Sequence, residues 1–273
     1  MRLSQGQLNL LERCPRQFQH IYLDQLGSPV NPEQKERQTW GSRFHLLMQQ
    51  RELGLPIESL VQEDPQLQCW MTAFASGAPE ILTADTNNQF RESEHCRTLQ
   101  VQDYLLTVVY DLLIADDRTA QILDWKTYPK PQNKRKLEQN WQTRLYLYVL
   151  AETSDYLPEQ ISMTYWFVQS EDKPQNIKFT YTYTQHEKTA QKLNQLLNKL
   201  TYWLQLYQQG ELFPQVAEES KHCEFCQYVT RCDRDRYDGE EALSLPLRAE
   251  AGSSSDVTQN WLQNLDNIQE VSL

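Results

Sequence analysis

The sequence lacks the features that would place it among membrane, secreted or helicase proteins. No apolar run approaches the roughly 20 residues that a helix needs to cross a bilayer. The N-terminal segment, MRLSQGQLNLLERCP, has neither the apolar stretch nor the small-residue cleavage site of a secretory signal. The chain also has no Gly-x-x-x-x-Gly-Lys-(Ser/Thr) motif, which argues against a helicase within it. These absences predict a soluble, cytoplasmic protein.

Basic residues are outnumbered, which at first argues against a polyanionic partner. The chain has 26 Lys and Arg against 37 Asp and Glu, a net charge of −11. Residues 236–273 alone contain seven acids and two bases, so much of the negative charge lies in this tail. Residues 126–136 contain five bases and no acid. Because phosphates respond to local charge more than to the total, nucleic acid stays a possible partner.

The periodicity of apolar residues predicts a mixed order of helices and strands. Two predicted helices begin near Ser4 and Pro15, and four more cover about 33–52, 65–75, 134–151 and 185–209. The predicted strands cover about 101–115, 120–125, 161–168 and 177–184, and a turn at 115–119 joins the first two. This order predicts a mixed α/β core with an N-terminal helical segment in front of it.

Two acidic residues and a lysine come at the ends of the first two predicted strands. Asp124 and Lys126 are two residues apart, so they point to the same face of their strand. Asp111 ends the preceding strand, and a hairpin could bring it close to Asp124. Two carboxylates beside a lysine suit phosphodiester hydrolysis, because the acids hold a hard divalent ion and the ion activates water. A surface ion pair is the alternative meaning of Asp-x-Lys alone.

Further residues extend this pair into an ordered set. Gly41 precedes His45 by four residues on a predicted helix, and Gln142 and Tyr146 share a face of a later one. The set resembles the PD-(D/E)XK nuclease superfamily, in particular its RecB-like branch. Members of that branch run Gly-x-x-x-His, Gly-x-x-Asp, (Asp/Glu)-x-Lys and Gln-x-x-x-Tyr in the same order.

The resemblance implies a fold and a set of roles. The fold would be a restriction-endonuclease-like mixed β-sheet flanked by helices. The implied ligands of Mg²⁺ or Mn²⁺ are His45, Asp111 and Asp124, and Glu94 would support this metal site. The implied catalytic residues are Asp111, Asp124, Lys126, Gln142 and Tyr146, with Lys126 as the catalytic lysine.

One position departs from the pattern of the family. Val108 stands where a glycine is expected three residues before Asp111. The bulk of valine could narrow the approach of DNA or move the strand, so this departure bears on activity more than on fold. The alternative function is therefore a catalytically silent module with a nuclease fold that binds DNA.

The cysteines form a second constellation. Cys223, Cys226 and Cys232 have the spacing of metal ligands and lie among polar residues, whereas buried free cysteines usually have apolar neighbours. The resemblance to the RecB-like branch implies Cys14 as the fourth ligand, because Cys-Pro-x-x-Phe at residues 14–18 is the other half of the same pattern. The arrangement resembles AddB-type helicase–nuclease subunits and CRISPR adaptation nucleases, and this resemblance implies a [4Fe–4S] cluster that joins the two ends of the domain. Zinc suits four cysteines equally well and is the alternative. A structural or redox protein with four metal-binding cysteines is a further alternative.

Together these features predict a DNA nuclease. Residues 1–235 would form the nuclease domain with its cysteine staple, and residues 236–273 an acidic tail with a possible docking helix. The expected activity is exonuclease cleavage of single-stranded or end-bearing DNA, in DNA repair, recombination or a related pathway. A helicase partner in trans is possible, and no membrane partner is expected.

Overall fold

The computed structural model describes residues 1–27, 32–82, 90–130, 133–169, 174–224 and 226–234. The predicted acidic tail with its docking helix lies outside the described residues. The chain divides into two units. The first unit contains Met1–Leu8 and Val30–Thr201, and the second contains Asn9–Pro29 and the described residues from Tyr202 onward.

Proline and capping residues begin several of the helices. The α-helices are α1 (Gln5–Arg13), α2 (Pro15–Phe18), α3 (Pro32–Glu52), α4 (Glu58–Gln62), α5 (Pro65–Gly77), α6 (Pro79–Leu82), α7 (Lys134–Gln139), α8 (Trp141–Glu152) and α9 (Tyr183–Gln208). Asp64 caps α5, where its carboxylate accepts from the backbone N–H groups of Gln66 and Leu67. None of the described helices combines the length and apolar character that crossing a membrane requires.

A mixed six-stranded sheet forms the centre of the first unit. Its strands are β1 (Arg2–Leu3), β2 (Phe90–Val101), β3 (Tyr104–Ala115), β4 (Ala120–Lys126), β5 (Ile161–Phe167) and β6 (Gln175–Thr180). The main order is β1-β3-β4-β5-β6, and β2 also pairs with β3. β1 with β3 and β4 with β5 are parallel pairs, and the other pairs are antiparallel.

The strands paired along the two edges of β3 show which part of β3 lacks a partner on one side. β2 pairs with β3 along nearly its whole length and so occupies one edge. β1 and β4 therefore share the other edge. β1 pairs with Leu105 and Leu106, and β4 pairs with residues 112–115. Between these two ladders, none of the described strands pairs with this edge of β3 over residues 107–111.

Apolar side chains pack on one face of this sheet against α3 and α5. Phe44, Trp70 and Phe74 of these helices cluster with Trp125 and Trp166 of the neighbouring strands β4 and β5. Phe74 makes edge-to-face contacts with both tryptophans, with ring centroids 5.4 and 5.5 Å apart. Because side chains alternate along a strand, the residues on either side of Trp125 point to the opposite face.

Several predicted boundaries differ from those observed. The strand predicted over 101–115 begins at Tyr104, because Val101 ends β2 and residues 102–103 turn between the two strands. The helix predicted over 134–151 is two helices, α7 and α8. Asn140 separates them: its ψ of 143° is extended, and its side chain caps α8 by accepting from the N–H of Gln142 at 2.8 Å. The described residues of the second unit have little regular structure outside the helices.

Side chains tie the backbone of the second unit together. The carbonyl of Phe213 accepts from Arg16 Nε at 2.6 Å, and its N–H donates to Gln19 Oε1 at 2.8 Å. The ring of Phe213 stacks on Phe18, with centroids 6.3 Å apart. The segment after α9 is thus held against α2 and the following turn by hydrogen bonds with the side chains of Arg16 and Gln19, and by one from the backbone N–H of Arg16 to the carbonyl of Pro214 at 3.2 Å.

Candidate active site

The candidate site begins where β3 and β4 separate. Their ladder ends at the pair Leu112 and Leu123, so Asp111 and Asp124 are the first residues beyond it. Oδ2 of Asp111 accepts a hydrogen bond of 2.6 Å from the backbone N–H of Trp125. A buried backbone donor needs an acceptor, and here a carboxylate supplies it in place of a strand partner. Both acids therefore lie at the same end of the strand pair.

Asp124, Lys126 and Gln142 form a buried polar group. Oδ1 of Asp124 lies 2.8 Å from Nζ of Lys126, and Oδ2 accepts from Nε2 of Gln142 at 2.8 Å. Asp124 is 1% exposed and Lys126 is 3% exposed. Charges buried to this degree persist only when they are paired and hydrogen-bonded. The side chains of Asp124 and Lys126 thus lie on one face of β4, as strand alternation predicts.

His45 joins helix α3 to the end of β4. Nε2 of His45 lies 3.0 Å from the carbonyl oxygen of Trp125, and Nδ1 lies 3.4 Å from Oδ1 of Asp111. A carbonyl oxygen can only accept, so Nε2 donates and Nδ1 faces the carboxylate. Burial lowers the pKa of His45, but nearby carboxylates, above all Asp111, raise it to about 9. Gly41 lets helix α3 come close to Thr127, which directly follows β4. A Cβ at position 41 would lie 3.2 Å from Oγ1 of Thr127.

Glu94 completes a group of possible metal ligands. It lies across from Asp111, where the pairing of β2 with β3 is interrupted between Ser93 and His95. Its φ of +51° is left-handed, which costs a non-glycine residue about 1–2 kcal/mol. Burial, and then the charge of Asp111, raises the pKa of Glu94 to about 7. The ligand atoms of His45, Glu94 and Asp111 all lie within 4.8 Å of one another.

The group of possible ligands differs in one member from the set that the resemblance implies. His45 and Asp111 belong to both sets. Glu94 belongs to the observed group of described residues, whereas Asp124 does not. Asp124 is nevertheless close enough for its charge to contribute to the raised pKa of His45.

Tyr146 and Val108 lie in the packed interior. Tyr146 is 3% exposed, its ring meets that of Tyr110 edge-on at 5.2 Å, and its carbonyl accepts from the Tyr110 hydroxyl at 3.0 Å. Val108 is 1% exposed. It is three residues from Asp111 on the same strand, so its side chain points to the opposite face. The valine therefore does not stand in front of the Asp111 carboxylate.

Tyr165, which no motif in the sequence indicates, pairs with Asp124 in the parallel ladder of β4 and β5. Its hydroxyl lies 3.3 Å from Oε1 of Gln142 and 2.8 Å from Oγ1 of Thr143. An amide whose oxygen accepts from Tyr165 turns its NH₂ group toward Asp124. The ammonium of Lys126 also lies 5.3 Å from the centroid of the Tyr165 ring, within the range of a cation–π contact.

In the second unit, the four cysteines of the predicted cluster line one pocket. They are Cys14, Cys223, Cys226 and Cys232. Burial raises the pKa of Cys226 and Cys232, and the neighbouring cysteines raise both further. Nη1 of Arg234 donates to Sγ of Cys223 at 3.3 Å. Residues far apart in the sequence therefore line one pocket.

Comparison with known proteins gives the class to which the chain belongs. The model of the PD-(D/E)XK nuclease superfamily matches residues 2–233, so the chain belongs to this superfamily. Both the predicted family and the predicted mixed α/β fold are confirmed. A phosphodiesterase-type hydrolase is the class of enzyme that this membership implies.

One solved structure supports the fold. A protein from Eubacterium rectale described as a "putative exonuclease" has a TM-score of 0.51 and 10% sequence identity, and the match covers 90% of this chain and 91% of that one. A weaker match, SSO0001, has a TM-score of 0.37 and 12% identity, with 85% of each chain covered. No curated protein matches the chain significantly by sequence.

The strain at Glu94 can be measured by stability. We expect Glu94→Gly to be more stable than Glu94→Ala by about 1 kcal/mol, because both lack the carboxylate and only alanine keeps a Cβ in the left-handed region. Urea denaturation in the absence of divalent metal measures the difference. At Glu92, on the same strand with an ordinary φ, the order should reverse. Equal stabilities at position 94 would mean that the backbone there is not strained.

Tyr165 is expected to act on the reaction through Gln142. Tyr165→Phe removes one hydrogen bond and keeps the ring beside Lys126, so kcat should fall about 3- to 10-fold at nearly unchanged KM. Tyr156→Phe, which removes a tyrosine hydroxyl bonded to the carbonyl of Asp116, is the matched control. In a double variant with Gln142→Ala, the two losses should not add. Additive losses would show that Tyr165 acts independently of Gln142.

Proposed function

We propose that this protein is a divalent-metal-dependent nuclease that cleaves DNA. The observation that carries the proposal is the convergence of His45, Glu94 and Asp111 within 4.8 Å, next to the buried pair of Asp124 and Lys126. Acids, a histidine and a lysine in this arrangement match the needs of phosphodiester hydrolysis. Membership of the nuclease superfamily supports the same chemistry.

The donor atoms fit Mg²⁺ or Mn²⁺. His45, Glu94 and Asp111 offer one imidazole nitrogen and carboxylate oxygens, which suit these ions and leave positions for water and phosphate. The raised pKa values of Glu94 and His45 support this assignment, because crowded carboxylates favour the approach of positive charge. We include Asp124 as a further ligand, as the family resemblance implies. When bound, the ion would activate water and neutralise charge on the phosphate.

The other residues hold and complement the reacting groups. Lys126 is fixed by Asp124 and by the face of Tyr165, so its ammonium keeps one position as negative charge develops on the phosphate. Gln142 fixes the carboxylate of Asp124 from the other side. Tyr146 is proposed to steady the helix that carries Gln142 through its packing on Tyr110.

Two observations support DNA as the substrate, and the first of them supports a strand with a free end. The structural neighbour from Eubacterium rectale is described as a "putative exonuclease", and the fold is shared. Lys130, Arg135 and Lys136 are exposed shortly after the strand that carries Lys126, where they could contact phosphates. We place the protein in DNA repair, recombination or a related pathway in the cytoplasm, with a helicase as a possible partner.

The four cysteines are proposed to hold a [4Fe–4S] cluster, with zinc as the alternative. They line one pocket, in which Arg13, Arg16 and Arg234 partly offset the burial that raises the pKa of Cys226 and Cys232. In this proposal residues 1–235 form the nuclease domain with its metal staple, and residues 236–273 form a separate acidic tail.

Cleavage of end-labelled DNA tests the proposed activity. Anaerobically purified protein with Mn²⁺ should cut single-stranded or end-bearing DNA, and Lys126→Ala should lower kcat about 100-fold or more. Lys188→Ala, an exposed lysine on α9, should leave the rate unchanged. The product ladder gives the polarity of cutting. DNA and Mn²⁺ binding without any cleavage would instead identify the silent binding module, with Val108→Gly as the first variant to test.

Replacement of one cysteine tests the metal staple. Cys223→Ser should lose the bound metal and lower the melting temperature, because metal binding contributes to the free energy of folding. Metal analysis, visible absorbance and thermal denaturation measure this, with the exposed Cys69→Ser as control. Iron with acid-labile sulfide identifies the cluster, whereas one zinc per chain identifies the alternative. A variant that loses its metal and keeps its melting temperature would contradict a structural role.

A further inference from the structure

Strands β2 and β3 continue past the candidate metal ligands as a two-stranded hairpin. Glu94 and Asp111 lie across from each other, and from there β2 pairs with β3 as far as Val101 and Tyr104. At about 3.3 Å per residue, the hairpin extends roughly 20 Å from these ligands. Its two faces therefore bear on the path of any long molecule that is bound at the ligands.

One face of the hairpin is covered by helix α8. Val108 and Tyr110 are 1% and 0% exposed, and the hydroxyl of Tyr110 donates to the carbonyl of Tyr146. Arg97, which pairs with Val108 in the ladder, donates to the carbonyl and to the hydroxyl of Thr153, the residue that follows α8. This face therefore belongs to the packed interior and leaves no room for a ligand.

The other face of the hairpin is open to solvent. Six residues in three cross-strand pairs form it, and they are Cys96 with Val109, Thr98 with Thr107, and Gln100 with Leu105. The three residues from β2 are exposed, and the three from β3 are half-buried. Val109 is two residues from Asp111 on β3, so this open face begins beside a candidate metal ligand.

Helix α3 covers the other side of the ligands. It carries His45, and its Phe44 belongs to the same apolar cluster as Leu112, the residue that follows Asp111. Along β3, the surface is thus covered on the Leu112 side of Asp111 and open on the Val109 side. A polymer whose phosphate lies at the ligands therefore has room to continue over the open face.

The chemistry of the open face suits bases and sugars better than phosphates. None of its six residues is acidic or basic, so it has no cation to neutralise a phosphate and no carboxylate to repel one. Its methyl, methylene, hydroxyl and amide groups can make apolar contacts and hydrogen bonds with bases. A duplex presents its phosphates outward and keeps its bases stacked, whereas an unpaired strand has bases free for such contacts.

We propose that the open face binds the bases and sugars of an unpaired DNA strand that leads to the candidate metal ligands. The inference rests on the proposed nuclease function and specifies which form of DNA reaches the site. Sheet faces bind unpaired bases in other nucleic-acid-binding folds, where aromatic side chains make the contacts. Here small uncharged side chains make them, and the phosphates of the strand face solvent.

Cys96 makes occupation of the open face measurable. It is an exposed thiol on this face, and Cys69, an exposed thiol on α5, is an internal control. The measurement uses full-length, anaerobically purified Lys126→Ala protein with Mn²⁺, whose slow cleavage leaves the DNA intact. Alkylation by N-ethylmaleimide is followed at each cysteine by mass spectrometry of peptides.

We expect single-stranded DNA to protect Cys96 alone. With the DNA at about ten times its Kd, alkylation of Cys96 should slow about 10-fold, because only the free fraction of the protein reacts. Cys69 should react at the same rate with and without DNA. A blunt duplex of the same sequence should leave the rate at Cys96 unchanged, because its bases stay paired.

Thr98 tests the same face by a change of charge. Thr98→Glu places a carboxylate beside the strand, so the Kd for single-stranded DNA should rise about 5-fold or more, as measured by fluorescence anisotropy. Thr98→Gln adds similar bulk without the charge and should bind nearly as tightly as the parent protein. Thr180→Glu is the matched control, since Thr180 is an exposed threonine on β6, and it should leave Kd unchanged. If Thr98→Glu does not fold, the protection of Cys96 decides the question without it.

The outcomes separate this inference from the proposed function. Cleavage of DNA by the wild-type protein, with neither protection of Cys96 nor an effect of Thr98→Glu, overturns the role of the open face alone. A protein that neither binds nor cleaves any DNA overturns both. Equal protection of Cys96 by the duplex contradicts the assignment to an unpaired strand. Absence of any alkylation at Cys96 in the free protein would also contradict the proposal, because the face would then be covered in solution.

Discussion

The contact on which the first unit depends most is the hydrogen bond from the backbone N–H of Trp125 to the carboxylate of Asp111. Strands that separate inside a sheet leave backbone groups without partners, and in a buried position each such group is costly. Asp111 removes that cost at the point where β3 leaves β4. The same carboxylate then faces His45 and Glu94, so one residue both ends the ladder and organises the possible ligands.

The charges around this opening are divided into two groups with different partners. Asp124 is neutralised within the protein by Lys126 and held by Gln142. In the described group of possible metal ligands, His45 is the one titratable partner of opposite charge for Asp111 and Glu94. The pKa values of Glu94 and His45 are both raised. The first group is complete as a buried ion pair. The second is stabilised by added positive charge, which is the property expected of a cation site.

Site residues that are neighbours in the sequence could be predicted from it, whereas residues that the fold brings together could not. Asp124 and Lys126 come together through strand alternation, which the sequence displays directly. The approach of Glu94 depends on a left-handed backbone that no residue pattern indicates, since glycine would be expected there. Tyr165 comes from a strand that pairs in parallel through a helical crossover, and its register cannot be read from the chain. The division of one predicted helix at Asn140 was readable in principle, because asparagine is a preferred cap.

The second unit satisfies its backbone in another way. Its extended segment is bonded to side chains of Arg16 and Gln19 rather than to a strand, and its cysteines come from both sides of the first unit in sequence. Roughly 200 residues separate Cys14 from Cys223, yet the entropy of closing a loop grows only with the logarithm of its length. The entropy lost when Cys14 and Cys223 are linked is therefore only a little larger than that lost when a much shorter loop is closed. Because a metal centre at the four cysteines would exist only in the folded chain, its binding free energy would add to the stability of folding. Such a centre would hold residues as distant as Cys14 and Cys223 together in a unit whose described residues form few regular elements.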